Sequence, residues 1–139
     1  MPVVTKRLKF ETKGRDHMIN VTDKVQKAVK DSKLKSGIVT VFIVGSTGSV
    51  TTIEYESGLI ADIKTLGERI APSDVSYVHD ETWGDANGYS HLRSTVIGTS
   101  FTAPFVNGEL TLGTWQQIVV IDHDNRPRSR EVVIQIIGE

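Results

Sequence analysis

The order of apolar and polar residues predicts strands at both ends of the chain and helices in its middle. Residues 3–12 (VVTKRLKFET) alternate, which is typical of a strand buried on one face. Residues 37–44 (GIVTVFIV) are continuously apolar and rich in β-branched side chains, so we expect a strand buried on both faces. After a GSTGS turn, residues 50–56 (VTTIEYE) form another extended segment.

Three helices are predicted between the terminal strands. The first lies within residues 20–37, with Thr22 as its N-cap and Val25, Ala28 and Val29 as its apolar stripe. The second ends before Pro72, and its apolar positions are four, three and four residues apart: Leu59, Ile63, Leu66 and Ile70.

The third helix is expected over residues 85–97, with Asp85 as its cap. Its predicted apolar face consists of Tyr89, Leu92 and Val96, and Gly98 lies beyond its end.

The last forty residues predict β-structure. FTAPFV and ELTL flank Asn-Gly, a dipeptide that suits the type I′ turn of a β-hairpin. TWQQIVVID and SREVVIQII then form two long strands joined by DNRPR. Because helices cluster between the strands, the pattern favours an α+β fold over repeated βαβ units, and the 139 residues fit a single domain, 1–139.

Composition narrows the chemistry. The chain has no cysteine, so a metal site would use His, Asp and Glu ligands, and disulfides and thiol catalysis are excluded. Its net charge of −1 without a basic stripe argues against nucleic acid as a partner. The N-terminus is too polar for a signal peptide, and no apolar run approaches the roughly 20 residues that span a bilayer. We therefore expect a soluble, cytoplasmic protein without a membrane partner.

Residues 79–93 (HDETWGDANGYSHLR) contain the main candidate site. In a helix, Asn87 and His91 are four residues apart and share a face, which Ser94 and Thr95 continue. Asn, His and Ser occupy this face instead of the Lys and Glu that usually coat an exposed helix. His79 precedes the helix and would join the site only through folding. A solvated polar face with an incidental histidine stays open as the alternative.

Three further segments are weaker candidates, and each has a structural alternative. GSTGS (45–49) could hold an anion on its backbone N–H groups, although it lacks the lysine of a Walker A loop and could be a plain turn. Glu54 would need a partner if it faced inward, and otherwise is a surface acid. A buried Trp115 would need a partner for its indole N–H, which Gln116 could supply, and taken alone this segment is explained by core packing.

A charged segment follows the first of the two C-terminal strands. It contains Asp122, His123 and Asp124, with Arg126 and Arg128 close behind. Strand ends often carry functional sites, but a charged hairpin turn would have the same composition.

The stretch GDANGYSHLRSTVIGTSFTAPFVNGELTLGTWQQIVVIDHDNRPRSR resembles the C-terminal half of the YjbQ family, and the resemblance extends through essentially the whole chain. The acidic turn of the family corresponds to Asp122, Asp124 and Arg128. The remaining matched positions are His79, Gly84, Asp85, Asn87, His91, Leu92, Arg93, Gly98, Ser100, Pro104, Gly108 and Leu112 through Gln116.

The resemblance implies an α+β two-layer β-sandwich that assembles as a homotrimer. It also implies a weak thiamine-phosphate synthase activity, which joins a pyrimidine pyrophosphate to a thiazole phosphate and releases pyrophosphate. A divalent metal, Zn or Mg, would lie in a histidine-lined pocket. Most members carry Pro-His-Thr-Thr where this chain has Val44 to Thr47, so Gly45 replaces a histidine. The later Asn-Glu pair keeps only Glu54, and His123 is an additional histidine.

From the resemblance we expect a small phosphorylated metabolite as the ligand and assign three sets of site residues. The predicted metal ligands are His79 and His91. The predicted catalytic residues are Glu54, Asp85, Asn87 and Asp122. The predicted substrate-binding residues are Ser46, Thr47, Arg93, Ser94, Trp115 and Arg128, since Arg matches phosphate geometry in a bidentate manner. Two alternatives stay open: a non-catalytic trimeric binding or structural module, which Gly45 favours, and a metal-assisted hydrolase of a phosphorylated metabolite.

Overall fold

The computed structural model describes residues 1–139 and has the predicted α+β architecture. The elements run in the order β1 (Val3–Thr12), β2 (His17–Asn20), α1 (Thr22–Asp31), β3 (Gly37–Ile43), β4 (Gly48–Ile53), α2 (Ser57–Ile70), α3 (Asp80–Trp83), α4 (Gly88–Ile97), β5 (Ser100–Val106), β6 (Glu109–Leu110), β7 (Gln117–Asp122) and β8 (Arg128–Gly138). The short elements β2 and α3 were not expected from the sequence, because each has too few residues to show a period.

Two antiparallel sheets form the two layers. The larger sheet has five strands in the order β1-β8-β3-β5-β6, and the smaller has three in the order β2-β7-β4. The Asn-Gly turn between β5 and β6 is as predicted, with φ of 52° at Asn107 and 75° at Gly108. β7 and β8 also occupy the two predicted C-terminal strands, and they place the chain from Asp122 to Arg128 at one end of both sheets.

The hydrophobic core lies between the two sheets and α1. Val39, Ile118 and Ile134 are 0% exposed, and Val25 and Val29 of α1 pack into the same cluster. Burying each such side chain stabilises the fold by about 1.5–3 kcal/mol. The predicted apolar stripe of α1 is therefore confirmed. The prediction of Thr22 as the N-cap is wrong, because Thr22 is already the first helical residue. Val21 flanks the helix and makes no capping hydrogen bond through its side chain.

The prediction that β3 is buried on both faces is wrong for this chain. Val39 and Val41 are fully buried, whereas Ile38 is 45% and Phe42 is 41% exposed. The reason is that the second sheet and α1 cover only one face of the larger sheet. A continuous apolar strand thus leaves large side chains on the outer face.

The expected apolar faces of the later helices are also partly exposed. In α2, Leu66 is 52% and Ile70 is 48% exposed, because the helix packs on the smaller sheet mainly through Ile60 and Ile63.

None of the four helices has the length and apolar character that a membrane-spanning helix needs.

The fourth helix, α4, buries a polar face in place of the predicted apolar one. Leu92 is 43% and Val96 is 68% exposed, while Tyr89 is buried as expected. The other buried side chains of α4 are Ser90, Arg93 and Ser94. Asn87, rather than Asp85, is the N-terminal flanking residue, and it makes no capping hydrogen bond through its side chain.

Candidate functional site

An open pocket of ≈ 400 Å³ lies where the turn after β3, the entry to α4 and the start of β8 meet. We call it the arginine–histidine pocket. Its lining residues are Gly45, Ser46, Thr47, His79, Trp83, Asp85, Asn87, His91, Arg128 and Arg130. The antiparallel pairing of Gly48 with Asp122 brings the GSTGS turn to the same end of the smaller sheet as the charged turn after β7.

Two histidines form one wall of the pocket. The ring centroids of His79 and His91 are 4.3 Å apart, and the rings are tilted by 43°. The burial of His91 and the neighbouring His79 lower the pKa of the His91 imidazole below its ordinary value. At neutral pH His91 is therefore a neutral imidazole that can accept or donate a proton.

The Asp80 carboxylate fixes the chain around His79. It accepts hydrogen bonds from the backbone N–H groups of Tyr77 (3.0 Å) and Gly88 (2.9 Å), which hold the pKa of Asp80 below its usual range. The same carboxylate lies 3.9 Å from Nδ1 of His79, which has no hydrogen-bond partner. Asp80 thereby ties the start of α3 to the first residue of α4 and places both histidines side by side.

Arg128 forms another wall, and the buried Asp124 lies behind it. Both Nε (2.9 Å) and Nη2 (2.8 Å) of Arg128 contact Oδ2 of Asp124. Burial alone would raise the pKa of Asp124, but hydrogen bonds from the Asn125 N–H, the Asn87 amide and Arg128 outweigh burial and lower that pKa. The ionised Asp124 leaves Nη1 of the partly exposed Arg128 without a protein partner.

Arg130 forms the floor of the pocket. Its Nη2 contacts Oδ1 of Asp122 at 2.7 Å and Oγ1 of Thr47 at 2.5 Å, and its Nε contacts Oδ2 of Asp122 at 3.2 Å. The Thr47 hydroxyl donates in turn to Asp124 at 3.1 Å. Thr47 therefore uses its side chain within the protein to position Arg130, and does not have it free for a ligand.

The absence of a side chain at Gly45 makes room for Arg130. A Cβ atom at position 45 would lie 2.9 Å from Nη1 of Arg130, and the φ of Gly45 is +130°. This third guanidinium nitrogen makes no hydrogen bond within the protein. Most family members are expected to carry a histidine at position 45. In this chain the guanidinium of Arg130 occupies the space beside that position.

Seven of the predicted site residues converge in this pocket: Ser46, Thr47, His79, Asp85, Asn87, His91 and Arg128. Ser46 and Asp85 lie at its exposed rim. The predicted pairing of Asn87 with His91 across one turn of helix is confirmed, since both line the pocket.

Arg93 does not reach the pocket. Its guanidinium is buried and contacts Asp16 (Nη1, 2.7 Å), Glu68 (Nη2, 2.7 Å) and the carbonyl oxygen of Ala71. Arg93 is therefore not brought together with the other predicted substrate-binding residues, because it ties α4 to α2 and to the turn before β2. Ser94, also predicted to bind substrate, instead donates to the carbonyl oxygen of Gly48 at 2.5 Å.

Asp122 lies beneath the pocket. It is 1% exposed and acts as the partner of Arg130 and of the Thr12 hydroxyl, so its predicted catalytic role is not supported. The additional histidine, His123, is equally buried and lies between Asp16 and the Ser49 hydroxyl. Both residues hold the charged turn in place.

Glu54 and Trp115 lie at the far end of the smaller sheet. The pairing of β4 with β7 runs from Gly48 opposite Asp122 to Ile53 opposite Gln117, about 17 Å at 3.4 Å per residue. Glu54 is exposed and shares a separate depression with Trp115, which is 72% exposed. Of the two alternatives for Glu54, the surface acid is the one observed, and Trp115 is exposed where core packing was expected. Neither residue contributes to the arginine–histidine pocket of this chain.

One important residue was missed in the sequence, because Arg130 lies in a strand that otherwise shows an apolar period. Asp124 was named only as one acid of the charged turn, and Trp83 only as part of the turn before α4, so neither was predicted as a site residue. The available signal for Arg130 was its position in β8. It alternates with Val132, Ile134 and Ile136, so it lies on the buried face, where an arginine needs a partner.

The residues of the pocket do not complete a zinc site within this chain. An open catalytic zinc site takes three protein ligands, whereas His79 and His91 are two. No group of three or more His, Cys, Asp or Glu side chains is placed to hold a metal ion. At position 45, where a third imidazole was expected, the neighbouring group is a cation.

Comparison with known proteins identifies the family. The model of the family described as "UPF0047 protein YjbQ-like" matches residues 6–139. The chain belongs to the YjbQ family. Its YjbQ relatives include a UPF0047 protein of Methanothermobacter thermautotrophicus, 37% identical over 139 residues that cover 100% of this chain and 95% of the relative. A second UPF0047 protein, from Synechocystis, is 32% identical and covers 95% of this chain and 90% of the relative.

Solved structures of YjbQ proteins share the fold. A YbjQ-like protein of unknown function from Sulfolobus solfataricus superposes with a TM-score of 0.93 at 29% identity, covering 99% of both chains. An uncharacterized YjbQ/UPF0047 protein of Clostridium acetobutylicum superposes with a TM-score of 0.86 at 31% identity, covering 95% of this chain and 99% of the other. The YjbQ fold is therefore shown across the whole chain.

Proposed function

We propose that the protein binds the phosphate group of a small metabolite in the arginine–histidine pocket. The observation that carries this proposal is the pair of arginines, each held on one side by an aspartate and each with Nη1 left without a protein partner. Guanidinium groups are suited to phosphate because their planar N–H donors match its oxygens. The neighbouring histidines line the same cavity and add imidazole groups that can donate or accept a hydrogen bond.

The finer activity suggested by the family resemblance is a secondary thiamine-phosphate synthase. Both of its substrates carry phosphate, which agrees with an arginine-lined pocket. Of the four predicted catalytic residues, however, only Asp85 and Asn87 line the pocket. His79 and His91 are then the groups best placed for proton transfer. We keep this activity as the enzymatic form of the proposal.

A non-catalytic phosphate-binding module is the second candidate. It is favoured because the two buried carboxylates below the pocket, Asp122 and Asp124, are occupied by arginine partners and are not free to act as a base. The two candidates share the same ligand chemistry and differ only in turnover.

Calorimetric titration with inorganic pyrophosphate tests the binding proposal. Arg128→Gln removes one guanidinium and should weaken binding at least about tenfold, since hydrogen bonds to charged groups contribute roughly 1.5–3 kcal/mol. Arg7→Gln removes an exposed arginine on β1 and should leave the affinity unchanged. Equal affinities for wild type and Arg128→Gln, or no binding at all, would contradict the proposal.

Turnover is tested separately. Purified wild type and His91→Ala are assayed for thiamine phosphate formation from the two phosphorylated substrates, and the wild-type gene is tested for rescue of a thiamine-requiring strain. Product formation that His91→Ala loses supports the synthase. Pyrophosphate binding without product or rescue favours the module.

The divalent metal stays a prediction that metal analysis of the purified protein tests. Stoichiometric zinc or magnesium that is lost in His91→Ala would support a metal bound by the histidine pair. A metal-free preparation that still binds pyrophosphate would place the cationic role on the arginines.

The homotrimer also stays a prediction, and the outer face of the larger sheet supports it. Register pairs Val3 with Ile137 and Ile137 with Ile38, and all three side chains are exposed. Phe42 of β3 and Val44, which directly follows β3, are exposed as well and continue this apolar face. Exposed apolar surface of this extent is typical of an interaction site, and a second copy of the chain would cover it.

A further inference from the structure

Three polar atoms at the arginine–histidine pocket have no hydrogen-bond partner. Oδ1 of Asn87 and Nδ1 of His79 are buried and unpaired, and Nη1 of Arg130 makes no hydrogen bond within the protein. Asn87 is 3% and Arg130 is 7% exposed. Buried polar atoms nearly always have partners. The imidazole nitrogen of His79 can donate or accept depending on its tautomer, whereas the Asn87 oxygen and the Arg130 nitrogen each have one fixed role. These two atoms therefore specify what a ligand in this pocket has to offer.

The Asn87 oxygen can only accept a hydrogen bond. The other atom of its amide, Nδ2, donates to Oδ1 of Asp124 at 3.3 Å. The reversed amide would set its oxygen against this carboxylate, which is an acceptor itself. The orientation with Oδ1 left unpaired is thus the one that the charge of Asp124 selects.

The Arg130 nitrogen can only donate. A guanidinium has no acceptor and stays protonated in proteins. Its Nη1 is directed to the space beside Gly45, which lines the same pocket. A ligand that satisfies both atoms therefore presents an anionic oxygen to Arg130 and a hydrogen-bond donor to Asn87.

We infer that the pocket selects a tetrahedral oxyanion that carries a proton, with one oxygen accepting from Arg130 and its O–H donating to Asn87. This inference rests on the proposed phosphate binding and specifies the ionic form of the ligand. Free phosphate always carries at least one proton near neutral pH, whereas sulfate carries none. The dianion of a phosphate monoester also carries none, because its second pKa is about 6.

Calorimetric titration in buffer containing a chelator tests the inference with three probes: inorganic phosphate, sulfate and methyl phosphate. At about pH 7.5, where methyl phosphate is almost entirely the dianion, inorganic phosphate should bind about tenfold or more tightly than the other two. Asn87→Ala should weaken phosphate about tenfold and leave sulfate nearly unchanged, so that the preference disappears. Retained sulfate affinity shows that the pocket of the variant is intact.

The ratios of the wild-type affinities for phosphate, sulfate and methyl phosphate decide the question even if Asn87→Ala does not fold. Equal binding of phosphate and sulfate, or methyl phosphate binding as tightly as phosphate, would overturn the inference and leave the proposed phosphate site standing. Failure of all three probes and of pyrophosphate to bind would overturn both. Tight phosphate with weak methyl phosphate supports the inference, and a phosphorylated metabolite would then bind as its monoanion, the form that carries a proton.

Discussion

Nη1 of Arg130 lies 2.9 Å from the point that a Cβ atom on residue 45 would occupy, so glycine at 45 and arginine at 130 are structurally dependent on each other. The expected histidine at position 45 would require this guanidinium to move. The φ of +130° at Gly45 independently disfavours any side chain there. A guanidinium therefore provides the positive charge at this wall of the pocket.

Gly45→Ala should weaken both the fold and the pocket. The new methyl group meets Arg130, and the backbone strain should cost about 1–3 kcal/mol in free energy of unfolding. Because Arg130 is displaced, affinity for pyrophosphate should fall as well. Denaturant unfolding and calorimetry measure the two effects.

Gly108→Ala is the matched control for this variant. Gly108 also has a positive φ, of 75°, but a Cβ there would meet nothing within 4 Å. The Gly108→Ala variant should be less stable than wild type but should bind pyrophosphate with the same affinity. Unchanged pyrophosphate affinity in Gly45→Ala would contradict the proposed contact between residue 45 and the ligand-binding guanidinium.

Arg93→Met should strongly destabilise the protein without changing ligand binding in the folded molecules. It leaves the buried Asp16 without its arginine partner, a loss that typically amounts to about 3–5 kcal/mol. Glu68→Gln removes the other partner, which is 47% exposed, and should cost about 0–1 kcal/mol. Stability is measured by denaturant unfolding. An Arg93→Met variant that is as stable as wild type but binds pyrophosphate more weakly would show that Arg93 takes part in ligand binding.

The free energy of unfolding should decrease as the pH falls through the range in which His91 titrates when unfolded. Burial and the adjacent His79 lower the folded-state pKa of His91, so the unfolded chain binds this proton first. The stability is complete above the unfolded pKa of about 6.5 and is lost progressively toward the lower folded pKa.

His91→Asn isolates this contribution from the carboxylates. Stability of wild type and variant is compared by denaturant unfolding between about pH 7.5 and pH 5.5, a range that includes the ordinary histidine pKa. The variant should show the weaker dependence on pH. Parallel curves would show that His91 does not have a lowered pKa in the folded protein.

Phe42→Asp should disrupt the proposed trimer while leaving the monomer folded. Phe42 is 41% exposed on the outer face of the larger sheet, so a charge there is tolerated by the single chain but not by a covered interface. Light scattering after gel filtration measures the mass. A monomeric wild type would contradict the trimer, and Lys24→Asp, at an exposed position of α1 on the other side of the larger sheet, provides a control for added charge.

The sequence predicted the parts of the site that depend on local spacing. Asn87 and His91 are four residues apart, and helix geometry alone places them on one side. The Asn-Gly hairpin and the two C-terminal strands were predicted for the same reason, since turn chemistry and period are local properties.

Long-range partners could not be predicted from the sequence. Arg93 meets Asp16 across 77 residues, and that pairing turns an expected phosphate ligand into a buried structural ion pair. Glu54 and Trp115 were expected at the site, but the register of β4 with β7 places them at the opposite end of the sheet. The contact between Gly45 and Arg130 likewise depends on how β8 is placed beside the turn after β3.

The most direct test of the phosphate-binding proposal is an NMR titration of the isotopically labelled protein with inorganic phosphate. The proposal predicts that the backbone amide signals of Ser46, Thr47 and Asn87 and the ring signals of His91 shift together, and that the Trp115 indole signal stays in place. Shifts confined to Trp115 and the residues around Glu54, or no shifts at all, would contradict phosphate binding in the arginine–histidine pocket.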